Sequence, residues 1–171
     1  MKITIDGKEY ECKKVVMNND NVEIVLEEDG KKETGYERVD KDETYCYITN
    51  MGNVNNGIDQ DDSVDNATYD NANYYSSKEI AKNNARADKL IRQLRRFSVE
   101  NRKSKLDWIN RENHKYRIAY NHLESMIRTG RSFGLESFGT IYFDSKELAE
   151  QAIKEFKNEL IWYFTEYKDS L

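Results

Sequence analysis

Two stretches of this chain align on each other without a gap: NYYSSKEIAKNNARADKLIRQLRRF at residues 73–97 and TIYFDSKELAEQAIKEFKNELIWYF at residues 140–164, offset by one leading residue. Tyr74, Tyr75, Ser77, Lys78, Glu79, Ile80 and Ala81 fall on Tyr142, Phe143, Ser145, Lys146, Glu147, Leu148 and Ala149. Each copy reads as an aromatic strand end running into a capping box, Ser76 with Glu79 and Asp144 with Glu147. In such a box the cap oxygen takes an orphan amide at N3 while the Glu reaches back. The helix after the second box carries a 3.6-residue stripe of Ala149, Ala152, Ile153, Phe156, Leu160, Tyr163, Phe164 and Tyr167, which predicts one buried face with Phe156 and Phe164 as core residues. The first helix has a thinner stripe, Ile80, Ala87, Leu90, Ile91, Leu94 and Phe97, and is expected to fray near Asn101.

Outward from the helices, KYRIAY at 115–120 sets Tyr116, Ile118 and Tyr120 on one side of a strand and Arg117 and Ala119 on the other. A second strand is expected from Phe138 to Phe143. Before the first helix, Tyr45, Tyr47 and Thr49 alternate with Thr44, Cys46 and Ile48 ahead of a Met-Gly turn, which reads as a half-buried strand. The stretch NNGIDQDDSVDNATYDNAN at 55–73 has almost no apolar periodicity and reads as a long polar loop or an extended hairpin tip. At the front, apolar and polar residues alternate on both sides of Asp6-Gly7, the turn dipeptide that hairpins favour, and three strands are expected near 2–5, 9–17 and 22–27, closed by a turn at Asp29-Gly30. The predicted fold is therefore α+β: an N-terminal β meander in residues 1–34, followed by two repeated strand-strand-helix units in 35–105 and 106–171. Internal duplication of this kind points to two similar lobes or a pseudo-symmetric sheet.

A length of 171 residues suffices for a real core without a disulfide or a metal. Hydrophobic residues make up only 37% of the chain, but twelve Tyr, six Phe and two Trp supply large areas to bury. Cys12 and Cys46 form no CxxC, and no apolar run opens the chain as a secretory signal would. These features predict a reducing, cytoplasmic setting with both thiols buried as small hydrophobes. No run of about twenty apolar residues predicts a membrane span. The absence of Pro beside abundant Asn, Lys, Asp and Tyr suggests a low-GC coding sequence.

Net charge is −5, which weighs against a general nucleic-acid binder. Its distribution is uneven. Acids prevail from Asp20 to Asp70, whereas Lys78, Lys82, Arg86, Lys89, Arg92, Arg95, Arg96, Arg102 and Lys103 face only Glu79, Asp88 and Glu100. One helix is basic inside an acidic protein.

The order YCYI, a Gly turn, an acidic loop, YYSSKEIA and a long helix, then LDW, KYRIAY and GTIYFDSKELAEQAI, resembles small accessory proteins encoded by phages and prophages of Gram-positive bacteria. The resemblance runs from about Tyr36 to the C-terminus, and the YF-x-[ST]-x-E-x-A junction is its most specific part. Relatives read Gly-Asn before the first aromatic pair, where this chain has Ala72-Asn73. The family has no established activity, so the resemblance implies a phage origin, a bacterial host cell and no catalytic residues.

His114 and His122 flank the KYRIAY strand. Eight residues of strand span more than about 25 Å, too far to share one ion, so both read as strand-end residues. Asp59, Asp61, Ser63, Asp65 and Asp70 imitate a calcium loop, but Val64 and Asp70 stand where an EF-hand needs Gly and a bidentate Glu. No phosphate-binding glycine loop, nucleophile triad or HExxH occurs, so neither an enzyme nor a cofactor or metal is expected.

Two surfaces remain. An acidic loop carrying Asp59, Asp61, Asp62 and Asp65 reads as a partner-binding surface that competes for a basic groove by charge complementarity. On that reading, joined to the resemblance, the chain is a non-catalytic phage protein that occupies and inhibits a host protein or protein–nucleic acid complex, such as a CRISPR effector. The alternative is a nucleotide or nucleic-acid binder that uses the basic helix 78–103 through Lys89, Arg92, Arg95 and Arg96, sequestering a signalling nucleotide or assisting replication. A homodimer through the aromatic faces of the repeats is a third reading.

Overall fold

The computed structural model describes residues 2–5, 8–18, 21–28, 34–110 and 112–167, the first three of these spans by their backbone. The chain divides into two compact units, residues 1–37 and 38–171. In the first, β1 (Lys2–Ile5), β2 (Lys8–Asn18) and β3 (Asn21–Glu28) form an antiparallel meander with β2 in the middle. Ile3 opposes Tyr10 and Val15 opposes Ile24, with a register shift between Cys12 and Lys14. The turns expected at Asp6-Gly7 and Asp29-Gly30, and the side chain of Cys12, lie outside the described residues.

The second unit is mixed α and β. In its first half, β4 (Thr44–Ile48) pairs antiparallel with β5 (Val54–Ile58). On the other edge of β4, Cys46 and Tyr75 exchange backbone hydrogen bonds of 2.8 and 2.9 Å. The Asn73 side chain extends this pairing by one position: its Oδ1 accepts from the Ile48 amide and its Nδ2 donates to the Ile48 carbonyl, each at 2.9 Å. The long polar loop expected at 55–73 is instead β5 followed by a helix, α1 (Ser63–Asp70). The turn that leads from α1 to Asn73 places Ala72 at φ 53°, in the left-handed region where a Cβ is strained. Ala72→Gly is expected to raise stability by up to about 1 kcal/mol, the relief of strain less the extra chain entropy of Gly, measured by urea unfolding.

In the second half, β6 (Lys115–Asn121) pairs with β7 (Met126–Ser132), and its other edge takes the two-residue β8 (Tyr142–Phe143), with Tyr116 opposite Phe143. β7 stands in for the strand expected at 138–143, of which only the last two residues pair. Gly139 adopts φ 74° and Phe138 is fully exposed, so the chain there turns rather than extends.

Each half ends in a helix, α2 (Lys78–Asn101) and α3 (Lys146–Glu155). Their caps sit one residue later than the predicted boxes. Ser77 accepts from the Ile80 amide and Ser145 from the Leu148 amide, because Tyr75 and Phe143 are still held in strand pairing. Asp144 instead accepts the amides of Lys103 and Ser104 at 2.6 and 2.9 Å, tying down the chain just after α2. The helix expected to run from 146 to about 167 breaks at Phe156, resumes as α4 (Lys157–Trp162) and closes in a π-helical turn at Tyr163–Tyr167.

α2 serves two cores. Its first turn puts Ala81 against Cys46 and Tyr75, with Ile48, Val54 and Ile80 around them. Further along, Leu90 and Leu94 meet Phe143, Leu148, Ala149, Ala152 and Leu160. Fully buried alanines let the helix approach closely at both places. Cys46 is buried, as expected. Phe156 and Phe164 are only half-buried and pack on the edge of the second core rather than inside it.

Candidate functional site

Asp59, just after β5, is only 1% exposed. Its carboxylate accepts from Arg38 Nε at 2.9 Å and Nη2 at 3.1 Å, from the Tyr74 hydroxyl at 2.8 Å and from the Asp61 amide at 2.8 Å. Asp65, in α1, accepts the Tyr45 hydroxyl at 2.9 Å and the Gln60 amide at 2.7 Å. The Tyr45 and Tyr74 rings, one bonded to each carboxylate, stack on each other at 4.0 Å. Asp62 caps α1 by accepting the amides of Val64 and Asp65. Of the four acids expected to form a solvated partner surface, only Asp61 points outward without a structural duty in the backbone, and it too reaches Arg38.

The expectation of a solvated acidic loop is therefore corrected for Asp59 and Asp65, which are buried, while Asp61 and Asp62 remain exposed. A buried charge is tolerable only when paired and hydrogen-bonded, and Asp59 and Asp65 meet that condition by organising Arg38 and two tyrosines. They join the strand-to-helix connection to Arg38, to Tyr45 in β4 and to Tyr74 ahead of α2.

Electrostatics follow from this geometry. Hydrogen bonds from Arg38 first, and from Tyr74 and the Asp61 amide, hold Asp59 well below the usual carboxylate range against the opposing effect of burial. The Gln60 amide is the largest influence that lowers Asp65. Burial, then the bond to Asp65, pushes the Tyr45 hydroxyl up to about 12, and Tyr74 is raised for the corresponding reasons. For a depressed carboxylate, stability is complete above the unfolded value of about 4 and is lost as pH falls through the lower folded one. For a raised tyrosine it is complete below about 10 and lost as pH rises through the folded value. Thermal melts should thus hold a plateau from about pH 5 to about pH 9 and fall on both sides, with Tyr45→Phe flattening the alkaline limb.

The other surface expected from sequence is the basic helix. Residues 78–131 contain fifteen Lys and Arg against six Asp and Glu, although the whole chain is acidic. At about 100° per residue, Lys82, Lys89 and Arg96 line one stripe of α2, while Arg92 and Arg95 lie on the neighbouring one. All five are exposed, and none forms a hydrogen bond or ion pair among the described residues.

Beside the first stripe lies a groove of about 670 Å³ between α2 and the break that separates α3 from α4. Arg86 and Lys89 enter it from α2, Lys154 and Lys157 from the opposite wall, and Leu90 and Phe156 form its apolar floor. The structure brings Lys89 to this groove and leaves Arg92, Arg95 and Arg96 outside it. Arg86 is the most constrained of the four cations. Its guanidinium lies over the Trp162 ring at 3.9 Å and makes a two-pronged ion pair with Glu159, Nε to Oε2 at 2.8 Å and Nη2 to Oε1 at 3.1 Å. That bond is the leading cause both of the raised Arg86 and of the lowered Glu159, and Lys89 also helps to hold Glu159 ionised.

Lys154 and Lys157 escaped sequence reasoning. Helical spacing puts them on the polar side of the last helix, but no local pattern announces a break at Phe156 or a facing α2. The histidines are separate: His114 contacts Arg131 and meets Phe133 edge-on, while His122 lies against Tyr120. Among the described residues no three His, Cys, Asp or Glu side chains are grouped to hold a metal ion, and no helix is long and apolar enough to cross a membrane. Comparison with known proteins finds no matching family model, no matching curated protein and no matching solved structure.

Proposed function

We propose that this chain is a non-catalytic nucleic-acid-binding protein that takes the phosphate backbone along the exposed face of α2. The observation that carries this reading is the concentration of unpaired cations there: Lys82, Lys89, Arg92, Arg95 and Arg96 on one helix of an acidic chain. Phosphate contacts by Lys and Arg release condensed counterions, so a clustered basic face can favour nucleic acid locally even in a chain of net charge −5. The acidic-decoy reading draws less support, since Asp59 and Asp65 are hydrogen-bonded inside the fold. A role in phage biology, against a host defence or in replication, is compatible with the nucleic-acid reading and would have nucleic acid as the contacted species.

Residues 38–171 are further read as two copies of one unit, a hairpin, a short third strand and a capped helix. The Cys46–Tyr75 bridge and the Tyr116–Phe143 pair, each followed two residues later by a Ser cap, support that reading.

Fluorescence anisotropy with labelled single-stranded and duplex oligonucleotides tests the function. For about four phosphate contacts, affinity for duplex should fall roughly a hundredfold between about 50 and about 200 mM salt. Absence of binding at low salt, or binding indifferent to salt, would contradict it.

A further inference from the structure

The groove beside α2 differs in kind from the open face that carries Arg92, Arg95 and Arg96. It is concave, its floor is apolar, and its volume of about 670 Å³ is that of a small-molecule site. Four cations and two carboxylates, Glu155 and Glu159, line it. Lys154 and Lys157 make no hydrogen bond or ion pair among the described residues.

Arg86 shows how the site is tuned. Its plane rests on Trp162, and its fork is held by Glu159, with Glu166 adding a more distant negative charge. A stacked guanidinium is preorganised for bidentate contact with carboxylate or phosphate. The pair is also half-exposed, so Glu159 can turn to solvent at little cost and leave the fork to a stronger anion.

We infer that this groove binds a phosphate monoester carried on a nucleoside, and that Glu159 is the internal anion such a phosphate displaces from Arg86. A monoester carries about −1.5 to −2 at neutral pH and matches the groove's excess of two cations. A phosphodiester carries a single negative charge and is a weaker competitor for Arg86. The three lysines supply point-charge donors around the phosphate, and the half-buried Phe156 ring offers the apolar contact for a base or sugar. The inference rests on the nucleic-acid reading in that α2 supplies Arg86 and Lys89, but it requires a preference for ends or free nucleotides that backbone binding on the outer face does not.

The test compares one oligonucleotide, labelled at its 3′ end, with either a 5′-phosphate or a 5′-hydroxyl, alongside a nucleoside 5′-monophosphate as competitor. The wild-type chain should prefer the phosphorylated end by about tenfold. Lys154→Ala with Lys157→Ala, both exposed positions, should erase that preference with circular dichroism unchanged. Glu159→Gln should strengthen binding of the phosphorylated end several-fold, because the competing carboxylate charge is gone. Competition by the nucleoside 5′-monophosphate near the oligonucleotide's own Kd identifies a free nucleotide as the ligand, and competition only at far higher concentration identifies a strand end. Equal binding of both ends, unaffected by the lysine substitutions, overturns the site and leaves the outer-face reading standing. Binding of the monophosphate without either oligonucleotide keeps the site and overturns that reading. Binding of none overturns both.

Discussion

Arg92→Glu, Arg95→Glu and Arg96→Glu combined are expected to weaken oligonucleotide binding by at least a hundredfold while leaving the far-ultraviolet circular dichroism unchanged. These side chains touch no core and make no ion pair among the described residues, so their reversal spares the fold. Each lost phosphate contact removes about 0.9 from the slope of log K against log salt on duplex, so the slope should flatten by about 2 to 3. Asp61→Asn is the matching control. Asp61 is exposed and outside α2, and its neutralisation should leave affinity within about twofold, since a lone surface charge contributes little. If the Asp61 variant lost binding and the arginine variant kept it, the acidic surface would be the functional one.

The largest expected change in stability is at Phe143. Its ring is 1% exposed and packs with Leu90, Leu94, Leu148 and Leu160, where β8, α2, α3 and α4 converge. Phe143→Ala should destabilise the 38–171 unit by about 3–5 kcal/mol through lost burial and the cavity left behind. Phe156→Ala, at a half-buried position on the groove floor, should lose roughly half as much. Denaturant unfolding of the two variants gives the comparison. Equal losses would mean that the ring of Phe156 is as deeply packed as that of Phe143.

Much of the scaffold was legible because its signals are local. Alternation around Tyr45 and around Ile118 marked β4 and β6, and the capping boxes read at Ser76 and Asp144 marked the helix starts to within one residue. Strand pairing is what moved the caps, and pairing is not a local property: Tyr75 and Phe143 are claimed by β4 and β6, so the helices begin at Ser77 and Ser145. β7 was missed because MIRTGRS mixes Gly and Arg into a strand whose apolar face holds little more than Ile127. The acidic stretch at 55–73 misled for a related reason. Composition reads Asp as solvent-facing, yet Asp59 and Asp65 are inside because Arg38, Tyr45 and Tyr74 reach them from positions up to 21 residues away. At the candidate site, Lys89 was visible as part of a basic helix, while Lys154, Lys157 and the Arg86–Glu159 pair depend on a contact across 73 residues of chain.

Amide chemical-shift mapping of the 15N-labelled protein during titration with a 5′-phosphorylated oligonucleotide locates the bound phosphate most directly. Shifts are expected along residues 82–96 of α2 and at 154–159 across the groove, with residues 59–66 unmoved. Shifts centred on 59–66, with α2 silent, would contradict a nucleic-acid site on the basic helix.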